Sequence, residues 1–146
     1  MAEKDYSHRD VVDKLGVKPG DRVAFDAMAW PLDDELVERV LARATEADET
    51  NPLNVVFVAA DPTTDITAAI RKFRPRLHPA GGVWVLTRKR GQPGYLDQRE
   101  VISAGLAAGL VDNKSCSVSD TVSAIRFVTR KEDRPRAGLD PRRSLP

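Results

Sequence analysis

The stretch Arg74-Pro75-Arg76-Leu77-His78-Pro79-Ala80-Gly81-Gly82-Val83-Trp84-Val85-Leu86-Thr87-Arg88-Lys89-Arg90-Gly91 constrains the fold of this chain more than any other. A helical stripe ends at its prolines, Gly81-Gly82 reads as a tight turn, and Gly81–Leu86 reads as a buried strand. The strand then runs into a basic loop that ends at Gly91. Helix, short connection and central strand together belong to an open α/β sheet. In such a sheet ligands sit beyond the carboxyl ends of the strands. The stretch names a fold class and an edge, not a reaction.

The rest of the chain supplies the neighbours of that strand. A short helix over Ser7–Leu15 is predicted, capped by Ser7 and stopped by Gly16. Arg22–Asp26 reads as the first strand. Leu36, Val37, Val40, Leu41 and Ala44 recur at helical spacing, so a helix is expected from Leu32 to about Ala47. Asn54–Ala60 is apolar without alternation, the mark of a parallel strand covered on both faces. A helix over Thr64–Arg74, a helix over Gln98–Gly109, and a hairpin of Asn113–Val118 with Ser123–Arg130 complete the pattern. The expected sheet has about five strands in the order 1-2-3-5-4, the last antiparallel.

At 146 residues the chain is long enough for one core, and residues 1–130 read as a single α/β domain. Residues 131–146 are charged and Pro-rich, and read as a flexible basic tail. No apolar run approaches the roughly 20 residues that span a bilayer, and the N-terminus has no secretory apolar segment. A lone cysteine, Cys116, fits a cytoplasmic protein without disulfides. The net charge of +1 conceals an asymmetry: residues 1–61 hold 7 basic and 14 acidic groups, residues 62–146 hold 16 and 8.

Val17-Lys18-Pro19-Gly20-Asp21-Arg22-Val23 and Leu77-His78-Pro79-Ala80-Gly81-Gly82-Val83-Trp84-Val85 resemble the approaches to the first and fifth strands of class I methyltransferases. The resemblance spans roughly residues 5 to 130 and implies an abbreviated Rossmann-like, three-layer domain. More closely, Leu15–Gly20, Gly81–Val85, Gly109–Lys114 and Arg126–Val128 resemble a family of small bacterial proteins of unknown function. A working methyltransferase needs a Gly-rich turn after its first strand, and Asp26-Ala27-Met28-Ala29-Trp30-Pro31 contains no glycine. The segment between Asp26 and Asn54 has room for one helix, so the unit carrying the ribose-binding carboxylate is expected to be missing. No cofactor, metal or methyl transfer is expected.

The candidate ligand edge consists of Asp26, Arg88, Lys89, Arg90, Asp112, Asn113 and Lys114. Asp26 closes the first strand, and Arg88-Lys89-Arg90 can hold a phosphate or carboxylate. Asp112-Asn113-Lys114 is compatible with strand-entry turn chemistry, since no phosphate-binding glycine loop accompanies it. His8 and His78 have no nucleophile motif beside them and read as capping or surface groups, and Cys116 as a strand-core thiol.

A non-catalytic domain acting through protein binding or self-association is therefore expected. The alternative is a domain that binds a small anionic ligand at the carboxyl edge of the sheet, with or without catalysis there. Nucleic-acid binding is disfavoured, because no aromatic residue interleaves with Arg130, Lys131, Arg134, Arg136, Arg142 and Arg143. The self-association argument is topological. If all three crossover helices lie on one face, the other face needs a cover. A second copy, giving a homodimer, is the simplest candidate, and the N-terminal helix with the Arg130–Pro146 tail folding back over it is the competing one.

Overall fold

The computed structural model describes residues 11–134. Helix α1 (Val11–Lys14) precedes β1 (Arg22–Asp26), α2 (Asp34–Leu41), the two-residue β2 (Thr45–Glu46) and β3 (Leu53–Ala59). Helix α3 (Ile66–Phe73) leads into β4 (Leu77–Arg88), α4 (Gln98–Ala107), β5 (Leu110–Ser117) and β6 (Val122–Thr129). The six strands form one sheet in the order β2-β1-β3-β4-β6-β5. The pairs β1–β2, β1–β3 and β3–β4 are parallel, and β6 runs antiparallel to both neighbours. The five expected strands thus keep their expected order and sense. The capping role of Ser7, His8 and the tail beyond Arg134 lie outside the described residues.

The sixth strand is a correction, and it reverses a second expectation. The helix after β1 stops at Leu41, not near Ala47, and the chain crosses to the outer side of β1. There Thr45 N–H donates to the Asp21 carbonyl and Ala47 N–H to that of Val23, both at 2.8 Å. The next strand, β3, lies on the inner side of β1, so the direction of winding changes. Right-handed crossovers in opposite directions put their helices on opposite faces. Val11, Val12, Leu36 and Val40 pack with Val23, Phe57, Trp84 and Leu86 on one face. Ile66, Ile70, Phe73 and Val101 pack with Val56, Val58, Val83 and Phe127 on the other. The described chain covers both faces itself, with α1 and α2 on the face expected to be bare, so that face no longer calls for a second copy.

Gly81-Gly82 is the other correction. Both lie buried inside the 12-residue β4, not in a turn before it. A Cβ on Gly81 would sit 2.8 Å from the Asn54 carbonyl oxygen, and one on Gly82 would sit 2.5 Å from Arg126 Nε. The pair is glycine because neighbouring backbone and a half-buried guanidinium approach that closely.

Two contacts lock the helices down. Trp84, fully buried in β4, donates its indole N–H to the Leu15 carbonyl at 2.7 Å, tying the end of α1 to the sheet. On the opposite face α4 presses on β6 at Gly105, where a Cβ would stand 2.1 Å from Phe127 Cε1. Phe127 is wholly buried and cannot swing out. Gly105→Ala is expected to destabilise the fold by about 1–3 kcal/mol through overpacking. Urea unfolding checks this, and an unchanged midpoint would contradict the tight α4–β6 contact.

Candidate functional site

The loop leaving β1 opens with a local turn, in which the Asp26 carboxylate accepts the Met28 N–H at 3.1 Å. Met28 projects into solvent, 90% exposed. Trp30 then folds back, its indole N–H donating to the Ala60 carbonyl beyond the end of β3 at 2.9 Å. The Trp30 ring carries the Arg88 guanidinium over its face, 4.2 Å from the ring centroid. Arg88 is the last residue of β4, so the contact joins the loop after β1 to the carboxyl end of the central strand.

This pair stands at a cleft of about 460 Å3 on the α1–α2 side of the sheet. Leu36, Leu86 and Val122 line it as buried apolar residues, and Ser119 and Thr121 bring hydroxyls from the β5–β6 turn. Asp33, Glu35 and Arg39 line it from the α2 side, so Arg88 faces two carboxylates across the cleft without pairing with either. Arg88 forms no ion pair with any described residue. Stacking on an indole leaves the in-plane N–H groups of a guanidinium available to an anion.

The remaining sequence candidates divide. Lys89 and Arg90 continue from Arg88 at the same edge. Lys89 Nζ meets Ser117 Oγ at 2.7 Å, and the Arg90 guanidinium lies 5.3 Å from the Tyr95 ring centroid. Asp26 is on the wrong face for the cleft: its side chain is only 12% exposed and lies 3.7 Å from Lys72 Nζ of α3. Asp112, Asn113 and Lys114 are far down the outer strand. Asp112 pairs with Phe127 and Lys114 with Arg126, with a bulge between, whereas Arg88 pairs with Val122 at the other end of β6. They line a separate cavity of about 220 Å3 beside α4. The sheet therefore does not assemble the seven candidates into one site.

Trp30 packs against the α1-side core, lines the cleft and supports the Arg88 guanidinium. Asp61 was not singled out, although it follows β3 at this edge. Hydrogen bonds from the Thr63 hydroxyl and N–H and from the Thr64 hydroxyl hold its carboxyl below the usual carboxylate range. The spacing Asp61-Pro62-Thr63-Thr64 signals that turn, but a turn alone signals no site. His78, read from the sequence as a capping or surface group, is half-buried in the first part of β4, where its Nδ1 accepts the Ala80 N–H at 2.9 Å. Among the described residues, no group of three or more His, Cys, Asp and Glu side chains is placed to hold a metal, and no helix is long and apolar enough to cross a membrane.

A family model described as "Protein of unknown function (DUF3052)" matches residues 12–131. The chain belongs to this family. No curated protein matches it. Its backbone is similar to CalO1, a methyltransferase in calicheamicin biosynthesis, with a TM-score of 0.55 at 15% identity. That match covers 88% of this chain but only 55% of CalO1, so the DUF3052 chain spans little more than half that enzyme's length. The glycopeptide N-methyltransferase MtfA gives a TM-score of 0.56 at 11% identity, covering 84% of this chain and 92% of MtfA. A SAM-dependent methyltransferase from Aquifex aeolicus gives 0.52 at 12%, covering 82% and 87%. The DUF3052 chain thus has a methyltransferase-like, Rossmann-like fold.

Cys116 lies partly buried against the α1-side core. Burial raises its thiol pKa above the ordinary value, and Lys14 and Lys114 pull it partly back. The thiolate should form only as pH climbs above that of a free cysteine. Alkylation by iodoacetamide at about pH 8 is expected to be slower than for free cysteine and to accelerate with rising pH. A rate equal to the free amino acid's would contradict the buried thiol.

Proposed function

We propose that this DUF3052 protein is a non-catalytic domain that binds a small organic anion in the cleft at the carboxyl edge of its sheet. The observation that carries the reading is Arg88. It is a half-buried arginine with no ion-pair partner among the described residues, stacked on Trp30 at the mouth of an apolar-floored cleft. The cleft's volume falls within the roughly 300–1,000 Å3 common for small-molecule sites. Its aliphatic floor suits an apolar body, and the guanidinium fork suits a carboxylate, sulfonate or phosphate. Self-association loses its ground, because the bare sheet face that called for it is covered by α1 and α2.

S-adenosylmethionine is not the ligand this geometry suits. The turn after β1 has no glycine, and the Trp30 indole, bonded to Ala60, bridges from that turn to the end of β3. The expectation of a missing carboxylate unit, however, is corrected. Glu46 ends β2 next to β1, about 20 residues beyond Asp26, where a nucleotide-binding fold carries its ribose-binding acid. The argument against the cofactor therefore rests on the turn and on Trp30. Calorimetric titration with S-adenosylmethionine is expected to show no binding, and micromolar affinity would overturn this.

The anion reading is tested with 8-anilinonaphthalene-1-sulfonate, which joins an apolar body to one anionic group. Saturable fluorescence enhancement is expected for the wild type and for Arg22→Ala, whose exposed side chain lies at the opposite end of β1. Arg88→Ala should lose most of it. Equal enhancement in Arg88→Ala, with its fold intact by circular dichroism, would contradict the site.

A further inference from the structure

Arg88 lines two cavities, not one. Besides the apolar cleft, it borders a second of about 250 Å3, to which Thr87, Lys89, Arg90, Tyr95 and Asp97 contribute. The floor differs between the two. The first cavity presents Leu36, Leu86 and Val122 on its floor and carries both signs of charge besides Arg88 (Asp33, Glu35 and Arg39), whereas the second presents two further cations directly after β4. The one carboxylate of the second cavity is already engaged. Asp97 accepts the Arg99 N–H at 2.8 Å as the cap of α4, and its other oxygen lies 3.7 Å from Arg99 Nη2. The Arg99 N–H first, then the Arg99 and Arg90 charges, hold its carboxyl below the usual range, so Asp97 stays ionised and offsets one of the three cations, leaving two in excess.

Three successive cations with a single committed carboxylate exceed what a monoanion can balance. A phosphate monoester carries about −1.5 to −2 charge at pH 7 and three strong acceptor oxygens. Building on the anion-binding reading of the cleft, we infer that the ligand is a small amphipathic phosphate monoester. Its phosphate sits between Arg88, Lys89 and Arg90, and its apolar group lies in the cleft floored by Leu86 and Val122. Arg88 is the hinge of the two halves, since it alone of the three cations borders both. Tyr95 steadies Arg90 from below as Trp30 steadies Arg88.

Calorimetry with four probes tests this: 1-naphthyl phosphate, naphthalene-1-sulfonate, 1-naphthol and inorganic phosphate. Naphthyl phosphate is expected to bind at least about tenfold more tightly than each of the others. The double variant Lys89→Ala with Arg90→Ala should erase the preference for phosphate over sulfonate while leaving sulfonate binding in place. Equal affinity for naphthyl phosphate and naphthalene sulfonate in the wild type would overturn the dianion inference and leave the anion-binding cleft standing. Inorganic phosphate binding as tightly as naphthyl phosphate would overturn the apolar half. Aryl anions that fail to bind, or that bind Arg88→Ala unchanged, would overturn the cleft reading and this inference together.

Discussion

The bond from the Trp84 indole to the Leu15 carbonyl is the contact on which the rest of the architecture depends. Helix α1 has four described residues, far too few to be helical on their own in water. Its place is set by the burial of Val11, Val12 and Leu15 on the sheet and by this one directed bond. Removing the donor would leave the carbonyl buried and unpaired, at a cost of about 1–3 kcal/mol. Val11 in turn lines the cleft, so a tryptophan in the central strand fixes one wall of the site some distance away.

Each face of the sheet is covered by two helices among the described residues. On the α1–α2 side Phe25 and Phe57 stack with centroids 5.4 Å apart beneath the helices. On the other side Gly105 lets α4 sit close on β6, and side chains reach across between α3 and α4. Thr67 donates to the Ala104 carbonyl, and Arg71 and Arg74 donate to those of Ala107 and Ala108. These last bonds satisfy carbonyls at the end of α4 that no intrahelical N–H can reach. With both faces closed, the carboxyl edge is where polar side chains, a stacked arginine and an apolar hollow meet.

Much of this was legible in the residues. The apolar runs of β3 and β4 announce strands covered on both faces, and the turn chemistry before Val122 announces the β5–β6 hairpin. The basic loop after Leu86 was legible as the charged carboxyl edge of the central strand, because strand ends are readable and the loop charge is explicit. The rest depended on β2. Two exposed residues with no apolar alternation give no strand signal, and Ala44 extends the helical spacing past the true end of α2. Without β2 the order of the remaining strands winds one way, and every inference about faces follows that error. Asp26 shows the consequence, because which helix its side chain meets is decided by the reversal. Gly81-Gly82 failed for a different reason. A glycine pair looks like a turn locally, and only the approach of Asn54 and Arg126 reveals why a strand needs it.

The central claim is that the Trp30–Arg88 pair forms the mouth of a ligand site, while Trp84 belongs to the frame beneath it. The chain has two tryptophans, so its indole N–H groups report on the two places separately. Proton–nitrogen correlation spectra recorded during titration with 1-naphthyl phosphate test the claim directly. The account predicts a large, saturable shift of the Trp30 indole signal and a Trp84 signal that stays in place. A shift confined to Trp84, or no shift of Trp30 at saturation, would contradict it.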